Sequence, residues 1–229
     1  MKALEVFQAE ANSYKIAYDN CDFVSAKKIT RQAVGRLRQT LFEPPDGSST
    51  DFLDGTFRLA VFFRALHDFA EVAEISGHVN WAQKDELVES LWSKFCDCRD
   101  RIDLVRHAIR GDFIEQVADI LTKIQDFYLA AFCQGHYMSP EIVAKRELCS
   151  ICLTDLRSCS HISGRIYSGK LCSSILDSDG IRLVSGSLVR VPHDPRCRVW
   201  PWNIKNNKSE VMLLSFFRID DFMEKDDWG

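Results

Sequence analysis

The stretch Cys149–Cys172, CSICLTDLRSCSHISGRIYSGKLC, separates two parts of the chain that have different sequence patterns. Before it, apolar residues recur every three or four positions, which is typical of amphipathic helices. After it, β-branched and aromatic residues come in short runs, which favours strands. The stretch itself has a C-x2-C-x6-C-x-H pattern made by Cys149, Cys152, Cys159 and His161. A further cysteine, Cys172, follows eleven residues after the histidine.

This donor set predicts a zinc site. The turn from Cys149 to Cys152 directs both thiolates at one point, and Cys159 with His161 supplies the other half of the site. Three cysteines and one histidine fill a tetrahedral zinc ion and leave no position for water, so we expect the zinc to be structural. Two alternatives remain: an all-cysteine site in which Cys172 replaces His161, and a group of thiols that bind no metal.

The composition is that of a soluble globular protein. The chain has 229 residues, of which 46% are hydrophobic and 27% charged, enough for one large domain or two small ones. No apolar run reaches the roughly 18 residues of a membrane-spanning helix, and the N-terminus has acids where a signal peptide would be apolar. We therefore expect a cytoplasmic protein without a membrane partner. The cysteines outside the cluster are expected to be free thiols: Cys21, Cys96, Cys98, Cys133 and Cys197.

The charge is distributed unevenly along the chain. Residues 1–145 carry 17 Lys and Arg against 22 Asp and Glu, whereas residues 146–219 carry 11 against 6. The last ten residues, DDFMEKDDWG, carry 1 against 5. The basic region could bind an anion, be neutralised by the acidic tail, or form an ordinary solvated surface.

The apolar periodicity before the cluster predicts a bundle of about five helices. The expected helices cover residues 3–20, 22–41, 56–76, 80–111 and 112–134. A loop is expected over Glu43–Gly55 because it is rich in Pro, Gly and Ser, and Asn80 is a candidate N-cap. Ser139-Pro140-Glu141 predicts a short lead-in helix, since proline is favoured at the first helical position.

The polar residues of the bundle suggest no catalytic set. Arg101 and His107 resemble the arginine–histidine motif of the HEPN ribonucleases, but Ile102 follows the arginine where that motif has a polar residue. The two residues also lie roughly 120° apart around a helix. We expect both to be surface charges, and His67 to be a surface or capping histidine.

Residues 148–200 resemble a cysteine–histidine module of uncharacterised bacterial and phage-linked proteins. The shared pattern is C-x-I-C followed by C-x-H-I-x-G-x2-Y-x-G-x2-C, here with Gly164, Tyr167 and Gly169, and later a strand and a Pro–Asp-Pro-Arg segment ending at Arg196. The resemblance implies zinc binding and no particular activity. Independently of it, we expect Tyr167 to pack over the metal loop.

The segment Cys159-Ser160-His161-Ile162 also resembles the Asp-His-Ile motif of HNH nucleases, whose zinc-knuckle forms begin with C-x-x-C. The chain departs from that family at Ser160, lacks a second C-x-x-C, and lacks the Asn/His pair of the expected helix. In addition, His161 cannot be a general base while it binds zinc. A degenerate nuclease is the third functional hypothesis.

Two strands are expected after the cluster, at Ile181–Val191 and Glu210–Ile219. The segment between them, PHDPRCRVWPWNIKNNK, interleaves basic and aromatic residues. Such a composition suits single-stranded nucleic acid, a protein partner, or tryptophans that cover a small core. The candidate contact residues are Arg196, Arg198, Trp200, Trp202 and Lys205.

We therefore expect a mainly α protein with two domains: a helical bundle over residues 1–145 and a small zinc-stabilised α+β module over residues 146–229. The first functional hypothesis is a non-enzymatic interaction or regulatory protein with a protein partner, such as a bacterial accessory factor in phage defence. The second is a nucleic-acid-binding module that uses the basic loop.

Overall fold

The computed structural model describes the backbone of residues 2–109, 111–177, 181–200, 204–205 and 208–209. It describes the side chains of residues 7–109, 111–177 and 181–200. Within this part of the chain, five α-helices come first: α1 Lys2–Asp19, α2 Phe23–Phe42, α3 Thr50–Gly77, α4 Asp85–Val105 and α5 Asp112–Phe132. Short antiparallel strands follow, which confirms the prediction of a mainly α chain with a small β region after the helices.

The described residues form two compact units. The helical unit comprises Met1–Ser48 and Gly55–Phe127. The C-terminal unit comprises Ser49–Asp54 and the described residues from Tyr128 onward. The domain boundary suggested by the sequence, between residues 145 and 146, stays a prediction.

Aromatic and aliphatic side chains fill the core of the helical unit. The largest of those that are fully buried are Tyr14, Phe63, Phe69, Phe95, Leu66, Leu91, Ile102, Ile114 and Leu121. The rings of Tyr18 and Phe69 stack with centroids 4.8 Å apart. The hydroxyl of Tyr14 donates a 2.6 Å hydrogen bond to the carbonyl of Leu66. The periodic apolar positions thus become the buried faces of the helices.

The helix starts differ from the prediction at two places. Helix α3 begins at Thr50 because Ser49 caps it: the Ser49 hydroxyl accepts a 3.2 Å hydrogen bond from the backbone N–H of Phe52. Part of the predicted loop over Glu43–Gly55 is therefore helical. Asn80 is not the cap of α4; it adopts a left-handed conformation before a short 3₁₀ helix, Trp81–Gln83, and α4 begins at Asp85.

Two polar side chains predicted to lie on the surface of the bundle are buried instead. Arg101 is only 5% exposed, and its guanidinium donates to the carboxylate of Asp68, which is fully buried. His67 is 3% exposed, and its Nδ1 lies 3.0 Å from the hydroxyl of Thr30. The polar groups pair across helices α2, α3 and α4, and this explains why they are tolerated in the core. His107 is exposed, as predicted, in a turn after α4.

The predicted lead-in helix at Ser139-Pro140-Glu141 is wrong. These residues lie in a strand, β1 (His136–Val143), because β1 pairs along its length with a distant strand, β6 (Arg182–Val189). Pro140 lies opposite Gly186, in the part of β1 that has β6 as its one described neighbour. A strand tolerates the missing N–H of proline at such an edge. The strand predicted at Ile181–Val191 is confirmed as β6.

The remaining strands are short. Their bounds are β2 Glu147–Cys149, β3 Ile166–Tyr167, β4 Lys170–Leu171, β5 Ser174–Leu176, β7 Arg198–Val199, β8 Ile204–Lys205 and β9 Lys208–Ser209. Strand β7 joins β1 and β6 in a three-stranded sheet of order β6-β1-β7, and the others form the pairs β2–β5, β3–β4 and β8–β9. A second 3₁₀ helix covers Pro195–Cys197. The strand predicted at Glu210–Ile219 lies outside the described residues.

Candidate metal centre

The first half of the centre is a tight turn at the end of β2. The backbone N–H of Cys149 donates to the carbonyl of Thr154 at 2.9 Å, and the N–H of Leu153 donates to the carbonyl of Cys149 at 2.8 Å. Leu153 has a φ of 57°, a left-handed conformation that closes the turn. The N–H of Ile151 points at the Sγ of Cys149 from 3.4 Å. The turn therefore brings the first cysteine and Cys152 to the same side.

The second half comes from Cys159 and His161, which are held by a neighbouring hairpin. The N–H of His161 lies 3.2 Å from the Sγ of Cys159. The imidazole packs edge-on against Tyr167 with ring centroids 4.8 Å apart, which confirms the prediction that this tyrosine packs over the metal loop. The hairpin β3–β4 turns through Ser168 and Gly169, whose φ values of 50° and 75° match a type I′ turn.

The structure brings the four predicted ligands together. Their donor atoms, the Sγ of Cys149, Cys152 and Cys159 and a ring nitrogen of His161, all lie within 4.8 Å of one another. The Sγ atoms of Cys152 and Cys159 are 3.4 Å apart, and the Nδ1 of His161 is 3.2 Å from the Sγ of Cys159. A tetrahedral ion with metal–sulfur bonds of about 2.3 Å separates its sulfur ligands by about 3.8 Å. The cluster can therefore hold one metal ion with little rearrangement.

Cys172 lies beside this group. Its Sγ is 3.7 Å from the Sγ of Cys149, and its side chain is completely buried. Ser150 holds the two segments together: its hydroxyl donates to the carbonyl of Leu171 at 3.0 Å and accepts from the N–H of Ser173 at 2.8 Å. The position of Cys172 is therefore compatible with the all-cysteine alternative. The group whose donor atoms all lie within 4.8 Å of one another, however, is the one that contains His161.

The thiols of the cluster differ in how readily they ionise. Hydrogen bonds from the side chain and backbone of Thr154 lower the pKa of Cys152 to about 6. Burial opposes ionisation of Cys149, but the backbone N–H groups of Cys152 and Ile151 outweigh it, so that its pKa is lowered. Burial raises the pKa of Cys172 to about 11. In the metal-free chain, the thiol of Cys172 therefore ionises less readily than the thiols of Cys149 and Cys152.

The sequence reasoning did not anticipate Ser150 and Thr154. Ser150 ties the first turn to the strand before Cys172, and the Thr154 hydroxyl lies 3.0 Å from the Sγ of Cys152. Both are short hydroxyl residues within two positions of a ligand, which is the available sequence signal. Small polar residues at such positions commonly hold metal ligands in place.

The predicted contact residues are only partly described, and the described ones are mostly buried. Trp200 is 5% exposed and packs against Tyr128 and Phe132, with ring centroids 6.2 and 6.3 Å apart. Arg198 is also 5% exposed; its guanidinium donates to the carbonyl of Phe132 at 2.6 Å and stacks 4.6 Å from the ring centre of Trp200. These two side chains belong to the interior of the C-terminal unit, which corrects the expectation of an exposed surface.

Of the other contact candidates, the structure describes the side chain of Arg196. The guanidinium of Arg196 pairs with the carboxylate of Asp194 at 3.0 Å, and its side chain is 7% exposed. Trp202 lies outside the described residues. The backbone of Lys205 is part of β8, and its side chain lies outside the described part.

Comparison of the chain with protein-family profiles, with curated proteins and with solved structures finds no match. The structure shows the Cys/His cluster. The kinship of residues 148–200 with bacterial and phage-linked proteins stays a prediction, because no match supports it. Among the described residues, no helix is long and apolar enough to cross a membrane.

Proposed function

We propose that the C-terminal unit binds one zinc ion through Cys149, Cys152, Cys159 and His161, and that this zinc is structural. The observation that carries the proposal is the mutual approach of the four donor atoms within 4.8 Å. Thiolates and an imidazole favour zinc over calcium or magnesium, which prefer oxygen ligands. Four protein ligands complete a tetrahedral ion, so no coordination position remains for a reacting water.

The lengths of the strands support a structural role for the metal. The pairs β2–β5 and β3–β4, which flank the cluster, have strands of only two or three residues. Isolated pairs of this length are not stable in water by themselves. A metal ion that links four points of such a segment supplies folding free energy that the strands lack.

The proposed role of the protein is correspondingly non-enzymatic: an interaction or regulatory protein that acts with a protein partner. If His161 is a ligand, it cannot serve as the general base of an HNH-type nuclease. The burial of Arg198 and Trp200 takes two of the five candidate side chains away from a nucleic-acid-binding surface, which favours the first hypothesis over the second. The resemblance of residues 148–200 to the bacterial and phage-linked module suggests an accessory factor of the bacterial cytoplasm, for example in phage defence.

Metal analysis of the purified chain tests the proposal. We expect inductively coupled plasma mass spectrometry to find about one zinc ion per chain. Cys159→Ser should lower the zinc affinity at least about tenfold, because it removes one of four ligands. Cys133→Ser is the matched control, since Cys133 is an exposed cysteine outside the cluster. A chain without zinc, or an equal loss of metal in both variants, would overturn the proposal.

Cobalt substitution distinguishes the two ligand sets. The sulfur-to-cobalt charge-transfer absorption increases with the number of thiolates bound to the metal. With His161 as a ligand, Cys172→Ser should leave this absorption unchanged and His161→Ala should weaken cobalt binding. A fall of about one quarter in Cys172→Ser, the share of one ligand in four, would instead identify an all-cysteine site.

A further inference from the structure

Strand β6 is an edge strand whose outer side is open in the described structure. The sheet order is β6-β1-β7, so β1 is its one neighbour among the described strands. Seven of its eight residues are exposed. The apolar side chains of Leu183, Val184 and Leu188 are 54%, 48% and 63% exposed. The strand therefore presents apolar side chains together with main-chain groups that can form a further ladder of hydrogen bonds.

The interior of β6 lacks two of the usual protections of an edge strand, charged residues and prolines. Natural edge strands are commonly blocked by charged residues, prolines or bulges. From Leu183 to Val189 the sequence is LVSGSLV, with neither charge nor proline. The one irregularity in pairing lies near the start of the strand, opposite Glu141 and Ile142. The five residues from Ser185 to Val189 pair regularly with β1, so they form a regular template for another strand.

Charged residues occur at the two ends of this apolar segment, and both are arginines. Arg182 begins β6 and Arg190 follows it directly, and the side chains of both are exposed. Residues 146–219 as a whole carry 11 Lys and Arg against 6 Asp and Glu. The charge pattern of the edge is thus positive, apolar, positive. A complementary strand has acidic residues at its two ends and apolar residues between them.

We propose that the outer edge of β6 is the docking site for an extended segment of a partner protein, which adds to the sheet as a further strand. The segment would alternate apolar and polar residues and carry acidic residues at both ends. Main-chain hydrogen bonds to β6 provide the binding mode, contacts with Leu183 and Leu188 provide apolar burial, and Arg182 and Arg190 set the charge preference. The inference rests on the interaction role proposed above and specifies its partner.

Fluorescence polarisation with a designed peptide tests this site on the full chain. The probe is a fluorescein-labelled peptide in which the dipeptide Val-Thr is repeated four times, with two glutamates added at each end. Leu188→Asp should weaken its binding at least about tenfold, because it places a charge in the apolar part of the edge. Val79→Asp is the matched control, since Val79 is 82% exposed in the helical unit. Leu188 is itself exposed, so the fold should survive the change.

Two further probes identify strand addition and the charge preference. N-methylation of alternate amides blocks one hydrogen-bonding edge of the peptide, so of the two alternate methylation patterns one should abolish binding and the other preserve it. The variant with both Arg182→Glu and Arg190→Glu should lose at least about tenfold affinity for the glutamate-ended peptide and prefer a lysine-ended one.

Several outcomes would overturn the inference. Equal binding by wild type and Leu188→Asp, or equal effects of both methylation patterns, would exclude strand addition at β6. Sedimentation that shows a dimer of the wild type and a monomer of Leu188→Asp would assign the edge to a second copy of the chain. The zinc content, measured on the same samples, reports separately on the metal proposal, so the two can fail independently.

Discussion

The helical unit and the C-terminal unit differ in the interactions that stabilise each of them internally. In the helical unit, aromatic and aliphatic residues from helices far apart in sequence bury one another, as Tyr14 and Leu66 do. In the segment from Glu147 to Leu176, the strands have two or three residues, and the donor atoms of the Cys/His cluster meet at one point. We infer that the helical unit folds on its own contacts, whereas the segment from Glu147 to Leu176 depends on a ligand.

The largest effect is expected from removal of the metal, which should affect the two units differently. Treatment with a chelator, or Cys149→Ser, should unfold the segment around the cluster, since four donors are brought together only in the folded state. In amide NMR spectra, residues 147–176 should lose their dispersion while the resonances of the helical unit persist. We expect far-ultraviolet circular dichroism to keep most of its helical signal.

The control for this experiment is Cys133→Ser, which changes an exposed cysteine outside the cluster and should leave both sets of resonances in place. If the chelated protein keeps dispersed resonances in residues 147–176, the short strands are sufficient by themselves and the comparison fails.

The difference between the units also explains what the sequence could predict. Helix positions depend on local periodicity, and the five helices were predicted from it. The start of α3 was missed because the hydroxyl of Ser49 acts as a cap within a run that has loop composition. Strand β1 was missed because its partner is distant: Pro140 lies opposite Gly186, and a proline after a serine has the local signature of a helix start.

The same reasoning applies to the cluster. The spacing of Cys149, Cys152, Cys159 and His161 is local, so the cluster that these four residues form could be predicted. The place of Cys172 beside Cys149 depends on the β3–β4 hairpin and on Ser150, neither of which the spacing describes. The burial of Arg198 depends on its contacts with the carbonyl of Phe132, far away in sequence, so its exposure could not be judged from composition.

The buried ion pair of Asp68 and Arg101 tests how much the internal contacts of the helical unit stabilise it. Asp68→Asn leaves the guanidinium of Arg101 in the core with a neutral partner, which should lower the free energy of unfolding by about 3 kcal/mol. Urea unfolding of the helical unit measures this loss. The zinc content should not change, because the pair lies in the helical unit.

An exposed ion pair at the C-terminal end of α4 serves as the control. Arg106 and Asp103 lie 3.4 Å apart with side chains 41% and 56% exposed, so Asp103→Asn should cost at most about 0.5 kcal/mol. The double variant Asp68→Leu with Arg101→Met should be more stable than Asp68→Asn, since it removes both charges of the buried pair. A loss below about 1 kcal/mol for Asp68→Asn would show that the buried pair does not stabilise the helical unit.

The smallest expected effect concerns the acid stability of the helical unit. Burial opposes ionisation of Glu71, but its contacts with His67 and Lys94 outweigh this and lower its pKa from 4.5 to about 2. The pKa is lower in the folded chain, so the charged form of Glu71 stabilises the fold above pH 4.5. This contribution disappears as the pH falls from 4.5 to about 2.

Glu71→Gln should therefore lower the free energy of unfolding by about 1 kcal/mol at neutral pH and have no such effect near pH 2. Burial raises the pKa of Asp68, which acts in the opposite direction, but Asp68 is present in both proteins and cancels in the comparison. Urea unfolding at a series of pH values between 2 and 7 measures the difference. If the two curves stay parallel over this range, the carboxylate of Glu71 does not contribute to the acid sensitivity of the helical unit, and other carboxylates must account for it.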